Sequence, residues 1–201
     1  MSCNTQSVYE SLEQCPGQRN LPGIRRRLYY INKIDIAAWP ALPRPGDADV
    51  SMADLAGYDG DFTLKADKYF QFIDLKDEAS NVTFETVGDG IGSRLVNNQA
   101  NAIVAGIPDE IKGFARQALN DDLVYVYQQR DGKFCLLGNE AFTCNTSPSG
   151  DTGAAATDAT TTTLAIQCYD ECPVPTYVGK LMISATKYID CADGQEKTVS
   201  Q

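Results

Sequence analysis

The sequence contains no histidine. Histidine is the side chain that exchanges protons near neutral pH, so its absence excludes Ser-His-Asp triads, Cys-His dyads and HExxH zinc sites. A Walker phosphate-binding loop is also missing, because neither Gly132-Lys133 nor Gly179-Lys180 is followed by Ser or Thr. These absences predict a protein that is not an enzyme and has no catalytic residues and no cofactor.

Positive charge is scarce. The 201 residues hold 17 Lys and Arg against 27 Asp and Glu, a formal charge of −10. Such an acidic chain is a poor partner for nucleic acid or an anionic membrane. No apolar run approaches the roughly 18 residues of a membrane span, and residues 1–10 lack the basic and apolar parts of a secretory signal. We therefore expect synthesis in the cytoplasm and no membrane partner.

Cysteine is present in an odd number, seven. In a reducing cytosol most of these side chains are expected to be free thiols. Four of them offer the alternative of a four-thiolate zinc site, although buried thiols and no metal are the favoured prediction. The sequence leaves open whether these four pair, bind a metal or stay free: Cys135, Cys144, Cys168 and Cys172.

The chain divides into an N-terminal arm (residues 1–23), a folded domain (24–190) and a polar C-terminal tail (191–201). The domain begins with a strand over residues 25–36, whose Arg25-Arg26-Arg27 cluster is either solvated or in contact with an acidic neighbour. A long connection over residues 39–61 follows, bounded by Pro and Gly, with one helical turn predicted within 51–56. Connections of this length are uncommon in compact domains unless they have a function.

Residues 62–87 alternate between apolar and polar side chains, with a polar turn at residues 77–81, and are predicted to form one long hairpin. The glycines at 88, 90 and 92 resemble a dinucleotide-binding loop, but no helix is predicted after them, so nucleotide binding is not expected. Further strands are predicted over residues 123–129, 134–137, 141–145, 161–169 and 177–188, with a loop of small residues from 147 to 160.

One helix is predicted over residues 109–119. Its apolar side chains recur at helical spacing, so Ile111, Phe114 and Ala118 form a stripe that packs against a sheet. With about eight strands and this helix, the predicted fold class is mainly β, an antiparallel barrel or sandwich with one flanking α-helix.

The order of these elements resembles the tail tube proteins of long-tailed bacteriophages and the inner-tube proteins of contractile secretion machines. The resemblance covers roughly residues 24–180: an early strand, a long Pro/Gly loop, the hairpin 62–87, the lone helix and the hairpin 123–137. The segment 149–158, which reads Ser-Gly-Asp-Thr-Gly-Ala-Ala-Ala-Thr-Asp before a Thr-rich strand, is also similar to that family.

The resemblance implies a structural virion protein, made in the host bacterial cytoplasm and located in the phage tail. Copies of the chain would form hexameric rings that stack into a hollow tube, with tail initiator, terminator and tape-measure proteins as partners. Double-stranded DNA would pass through as a transient cargo. Six copies at −10 each give −60 per ring, a charge that keeps DNA from sticking.

Two groups of residues are assigned to this assembly. The long loop has few large apolar residues, and it is assigned to contacts between rings, together with the arm, through Pro43, Asp47, Asp49, Met52 and Leu55. The polar face of the predicted hairpin is assigned to the lumen wall, through Lys65, Asp67, Gln71, Thr83 and Glu85. The alternatives are an extracellular adhesin or pilus-like β-sandwich subunit, a capsid decoration protein, and a small enzyme that uses carboxylates.

Overall fold

The computed structural model describes residues 8–17 and 20–199. It confirms a mainly β fold with one α-helix, α1, which spans Asp109–Ala118. Two short 3-10 helices span Lys33–Asp35 and Asp54–Ala56. The strands are β1 Ile24–Asn32, β2 Ile36–Ala38, β3 Gly57–Tyr58, β4 Thr63–Leu64, β5 Gln71–Asp74, β6 Asn81–Val87, β7 Leu95–Ala105, β8 Leu123–Gln129, β9 Phe134–Leu137, β10 Cys144–Asp151, β11 Thr161–Asp170, β12 Thr176–Tyr177, β13 Lys180–Met182, β14 Lys187–Asp190 and β15 Gln195–Thr198.

The strands form four sheets. A central six-stranded sheet has the order β3-β12-β9-β8-β1-β5, and a four-stranded sheet has the order β10-β11-β7-β6. Strands β13, β14 and β15 form a third sheet, and β2 pairs with β4. None of these sheets closes on itself within the described residues, so the structure is sandwich-like and the barrel form of the prediction is wrong.

The central sheet is buried on both faces because its middle strands are apolar throughout. On β8, Tyr125 and Tyr127 point into one core, whereas Val124 and Val126 point into the other. The first core lies between the central and the four-stranded sheets and includes residues of α1. The second core lies on the opposite face and is covered by residues from β13, β14 and the segments around β2 and β4. The result is three layers.

Helix α1 ends at Ala118, one residue before the predicted end at residue 119. Ile111 and Ala118 are buried in the first core, and Phe114 is half-buried, with its ring centroid 4.9 Å from that of Tyr30 in an edge-to-face contact. Leu119, which follows the helix, is 60% exposed. The helix therefore contributes one narrow face to the core and leaves the other in solvent.

The predicted hairpin over residues 62–87 is wrong. Strand β5 pairs with β1 in the central sheet, whereas β6 pairs with β7 in the four-stranded sheet. The polar turn at residues 77–81 thus connects two different layers. The hairpin of this region is β6–β7, which turns through the glycine-rich segment 88–94.

Three other boundaries differ from the prediction. The strand expected at 141–145 is β10, which runs from Cys144 to Asp151 into the predicted small-residue loop. The strand expected at 177–188 is divided among β12, β13 and β14. The polar tail is not separate from the domain, because β15 pairs with β14 and Cys191 is buried in the second core.

The arm and the start of the long loop lie beyond opposite ends of strand β1. Strand β1 starts beside the arm, where Ile24 pairs with Gln129, and ends at Asn32, which pairs with Leu123. We call the first the arm end and the second the loop end, because the chain enters the loop 39–61 shortly after β1. The four-stranded sheet contacts the central layer at both ends, since Cys144 N donates to Asp122 Oδ1 at the loop end and Lys76 N donates to the Ile103 carbonyl at the arm end.

Candidate assembly surfaces

The four-stranded sheet presents two edges that have no paired strand within the described residues, β10 on one side and β6 on the other. Its inner face fills the first core with apolar side chains such as Ala100, Ala102 and Leu164. The four strands contain neither Lys nor Arg. Unpaired strand edges expose backbone N–H and C=O groups that can pair with a further strand.

The outer face of this sheet carries amides and hydroxyls in cross-strand rows. One row runs Asn145, Gln167, Gln99, Thr83. Glu85 Oε1 accepts hydrogen bonds from Gln99 Nε2 at 2.7 Å and from Asn97 Nδ2 at 3.0 Å. These two hydrogen bonds tie the one carboxylate of β6 to the amides of β7. The strands of this face are therefore rich in polar groups and contain no cationic side chain.

The residues assigned to a lumen wall do not share one surface. Thr83 and Glu85 lie on β6, on the outer face of the four-stranded sheet. Gln71 begins β5 in the central sheet, and Lys65 and Asp67 belong to the turn that follows β4. The larger part of the polar face lies on β7, which the alternation of apolar and polar residues did not predict. The inward side chains of β7 are small, so they give little apolar signal within the Asn-rich segment.

The long loop is packed against the domain at both of its ends. Ala41 and Asp59 exchange backbone hydrogen bonds of 2.9 and 2.8 Å, and β3 pairs with β12 in parallel. Trp39 contacts Phe62, which is buried in the second core. Of the residues assigned to ring contacts, Pro43, Met52 and Leu55 are half-buried, whereas Asp47 and Asp49 are exposed.

The arm is extended and exposed where it is described, in residues 8–17 and 20–23, and contains no helix or strand there. Tyr9 is 91% exposed and Leu12 is 87% exposed. Two large apolar side chains on an exposed segment are a feature of contact surfaces. Cys3, at the start of the predicted contact segment, lies outside the described residues.

A groove at the arm end, which we call the arginine groove, is lined by Arg25, Arg26, Arg27, Lys76 and Arg130, with Asp74, Asp77 and apolar residues between them. Arg26 pairs with Asp77 at 2.7 Å and Arg27 with Asp74 at 3.1 Å. The basic cluster thus contacts acidic neighbours of its own chain, one of the two predicted arrangements. Arg25 and Lys76 form no ion pair with any described residue.

A second groove, the Trp39 groove, lies at the loop end and is lined by Trp39, Pro40, Ala41, Leu42, Arg44, Tyr58, Asn139, Glu140, Ala141 and Glu171. Glu140 and Glu171 are exposed, and neither forms an ion pair within the described part of the chain. Asn139 links the groove to the interior, because its Nδ2 donates to the buried carboxylate of Asp170 at 2.8 Å.

Asp170 is fully buried at the end of β11. Its Oδ1 accepts hydrogen bonds from Asn139 Nδ2, from Glu171 N at 2.7 Å and from Cys172 N at 3.3 Å, whereas Oδ2 has no partner. Burial raises the pKa of this carboxyl above its usual range. The carboxyl organises the turn that follows β11, and Asn98 fixes the same turn by accepting from Val174 N.

The cysteines do not form a metal site within the residues that the structure describes, where no three His, Cys, Asp or Glu side chains are grouped to hold an ion. Cys144 and Cys168 form a disulfide, and Cys15, Cys135, Cys172 and Cys191 are thiols. Within the same residues, no helix is both long and apolar enough to cross a bilayer.

No known family, curated protein or solved structure matches the chain. The features of the molecule that bear on its function are a four-stranded sheet with two unpaired edges and no Lys or Arg, and two grooves of opposite charge.

Proposed function

We propose that the chain is a structural subunit that joins edge to edge into rings, and that the rings stack into a hollow tube of the kind found in the tails of long-tailed bacteriophages. The observation that carries the proposal is the four-stranded sheet, which has two unpaired edges, a polar outer face and no Lys or Arg. Such a sheet resembles a segment of a larger wall.

Strand direction supports edge-to-edge joining. Each neighbouring pair in β10-β11-β7-β6 is antiparallel, so the two edge strands run in opposite directions. Rotation about an axis along the strands would place β6 of one copy antiparallel to β10 of the next. The seven residues of β6 also match the eight of β10 in length. Six copies of this four-stranded sheet would give a closed wall of 24 strands.

The chemistry of the outer face suits a lumen that DNA crosses without binding. Affinity for nucleic acid depends on Lys and Arg that neutralise phosphates, and the four strands have none. The net charge of −10 adds repulsion. The role proposed for Thr83 and Glu85 in the wall is retained, whereas Lys65, Asp67 and Gln71 are no longer assigned to it.

The opposite placement of arm and loop supports stacking. When rings stack head to tail, the arm end of one copy faces the loop end of the next. Pro43, Asp47 and Asp49 would then meet the neighbouring ring, together with the exposed Tyr9 and Leu12 of its arm. The hexameric number, the tail partners and the virion location rest on the resemblance in element order.

One observation favours a second candidate, an extracellular β-sandwich subunit of an adhesin or pilus. The Cys144–Cys168 disulfide joins the edge strand β10 to its neighbour, and disulfides persist mainly in oxidising compartments. This candidate also uses open strand edges, but it predicts linear fibres and not rings with a lumen.

The experiment is negative-stain microscopy and light scattering of the concentrated 21.9-kDa chain, with variants that charge the sheet edges. Thr83→Lys combined with Asn145→Lys places a lysine on each edge strand within one cross-strand row. We expect rings and tubes from the wild type and monomers from this variant, because like charges meet at the joint.

The matched control is Thr163→Lys combined with Gln167→Lys, which adds two lysines to the same face on the inner strand β11. The control should still form rings. A wild type that stays monomeric at all concentrations contradicts the proposal, and fibres without a lumen favour the second candidate.

A further inference from the structure

We infer that the rings stack through charge, with the arginine groove of one copy docked on the Trp39 groove of a second copy. This inference rests on the proposed head-to-tail stacking and adds the surfaces that make the contact. The carrying observation is that the two grooves lie at opposite ends of the sandwich and have opposite charge.

The strand registers place the grooves. Ile24 and Gln128 line the arginine groove, and both lie where β1 begins and β8 ends. Asn139 and Glu140 line the Trp39 groove. They follow Leu137, which pairs with Tyr125 near the start of β8. One copy therefore presents its arginine groove in the direction opposite to its Trp39 groove, as a repeating head-to-tail contact requires.

The arginine groove has a positive excess in an acidic protein. Five cationic side chains line it, and three of them form ion pairs with the carboxylates of Asp74, Asp77 and Glu78. Arg25 and Lys76 are left without an ion pair among the described residues, and both are exposed. These two side chains are available to a partner.

The loop end offers the complementary charge. Glu140 and Glu171 line the Trp39 groove and form no ion pair with any described residue. The adjoining loop 39–61 holds five Asp and one Arg. The half-buried ring of Trp39 adds an aromatic surface on which a guanidinium group can pack. Arg44 also lines the groove and opposes this attraction, so the contact depends on the two glutamates.

A second copy is the occupant that these charges fit. An edge-to-edge ring brings every arginine groove to one side and every Trp39 groove to the other, so each weak contact is repeated around the ring. Repetition compensates for the modest strength of exposed ion pairs. It also predicts that stacking weakens as salt is added, since exposed charges are screened.

The test is a charge swap. Arg25→Glu with Lys76→Glu reverses one groove, and Glu140→Lys with Glu171→Lys reverses the other. Each double variant alone places like charges together. We expect each to form rings but to need at least tenfold more protein than wild type to form tubes, as measured by light scattering and negative stain.

Mixing the two double variants in equal amounts is the decisive experiment. Each reversed groove then meets the reversed groove of the other variant, so attraction is restored and tubes of alternating rings should return near the wild-type concentration. The control is Lys112→Glu with Lys187→Glu, two exposed lysines that line neither groove, which should leave stacking unchanged.

Tubes formed by either double variant at the wild-type concentration overturn this inference and leave the proposed function standing. Failure of the mixture to recover tubes also overturns it. A wild type that never forms rings overturns both proposals. Rings that stack only in the wild type, the control and the mixture support the contact.

Discussion

Cys144 and Cys168 face each other across β10 and β11 and form a disulfide, with their Cα atoms 4.4 Å apart. Both residues are 1% exposed within the first core. The bond fastens the edge strand β10 to the rest of its sheet. In the proposed ring β10 pairs with a neighbouring copy, and the cross-link would hold its register for that pairing.

Removal of this disulfide is expected to destabilise the fold. Because the cysteines are 24 positions apart in sequence, Cys144→Ala with Cys168→Ala should lower the free energy of unfolding by about 3 kcal/mol. Urea denaturation with and without reductant measures the effect. Reductant should shift the midpoint of the wild type but not that of the double variant, and an unshifted wild type would contradict the disulfide.

Thiol reactivity should separate the free cysteines. Burial raises the pKa of Cys135 and of Cys172 to about 11. At pH 8 each of these thiols is therefore ionised in only about one molecule in a thousand. Cys15 is exposed and should react quickly with a thiol reagent in the native protein. Cys15→Ser should remove a fast-reacting thiol, and denaturation should expose the buried ones.

The total thiol count is a separate check. After denaturation without reductant, five of the seven cysteines should titrate, since one pair is bonded and Cys3 is expected to be free. Three bonded pairs, leaving a single thiol, would favour an exported protein and the second candidate function.

The contacts of the helix predict graded effects of truncation. Ile111→Ala removes a fully buried side chain and should cost about 3 kcal/mol. Phe114→Ala should cost less, about 2 kcal/mol, because its ring is half-buried and loses chiefly the contact with Tyr30. Lys112→Ala, on the exposed face, should change stability by no more than about 0.5 kcal/mol. Equal costs for all three would mean that the helix packs differently.

The hydrogen bonds that Asp170 accepts are expected to contribute more to the stability of the fold than its negative charge does. Asp170→Ala leaves the Asn139 amide and two backbone N–H groups without an acceptor and should cost about 2 to 3 kcal/mol. Asp170→Asn keeps one oxygen and should cost less. Chemical denaturation of the two variants at neutral pH compares them directly.

The same carboxyl gives stability a pH dependence with a defined sign. Its pKa is raised by burial, so between the ordinary value near 3.9 and the raised value the native state binds more protons than the unfolded state. Stability should therefore fall as pH rises through this window. Asp170→Asn removes the titration, so the stability advantage of the wild type over this variant should shrink as pH rises through the window. A constant difference would contradict a raised pKa.

The sequence determined the elements whose signals are local. The stripe of Ile111, Phe114 and Ala118 predicted the helix, and the strands predicted over residues 123–129 and 134–137 have the bounds of β8 and β9. In these segments the periodicity of apolar residues and the turn chemistry act over a few residues, so no distant contact is needed to interpret them.

Tertiary structure decided which strands pair and where the surfaces lie. Strands β5 and β6 are neighbours in sequence but belong to different layers, because β5 pairs with the distant strand β1 whereas β6 forms a hairpin with β7. Strand β7 was missed because Ala100 and Ala102 fill the core with small side chains between polar ones. The two charged ends likewise combine residues far apart in sequence, since a surface is set by the folded arrangement of strands and not by their order along the chain.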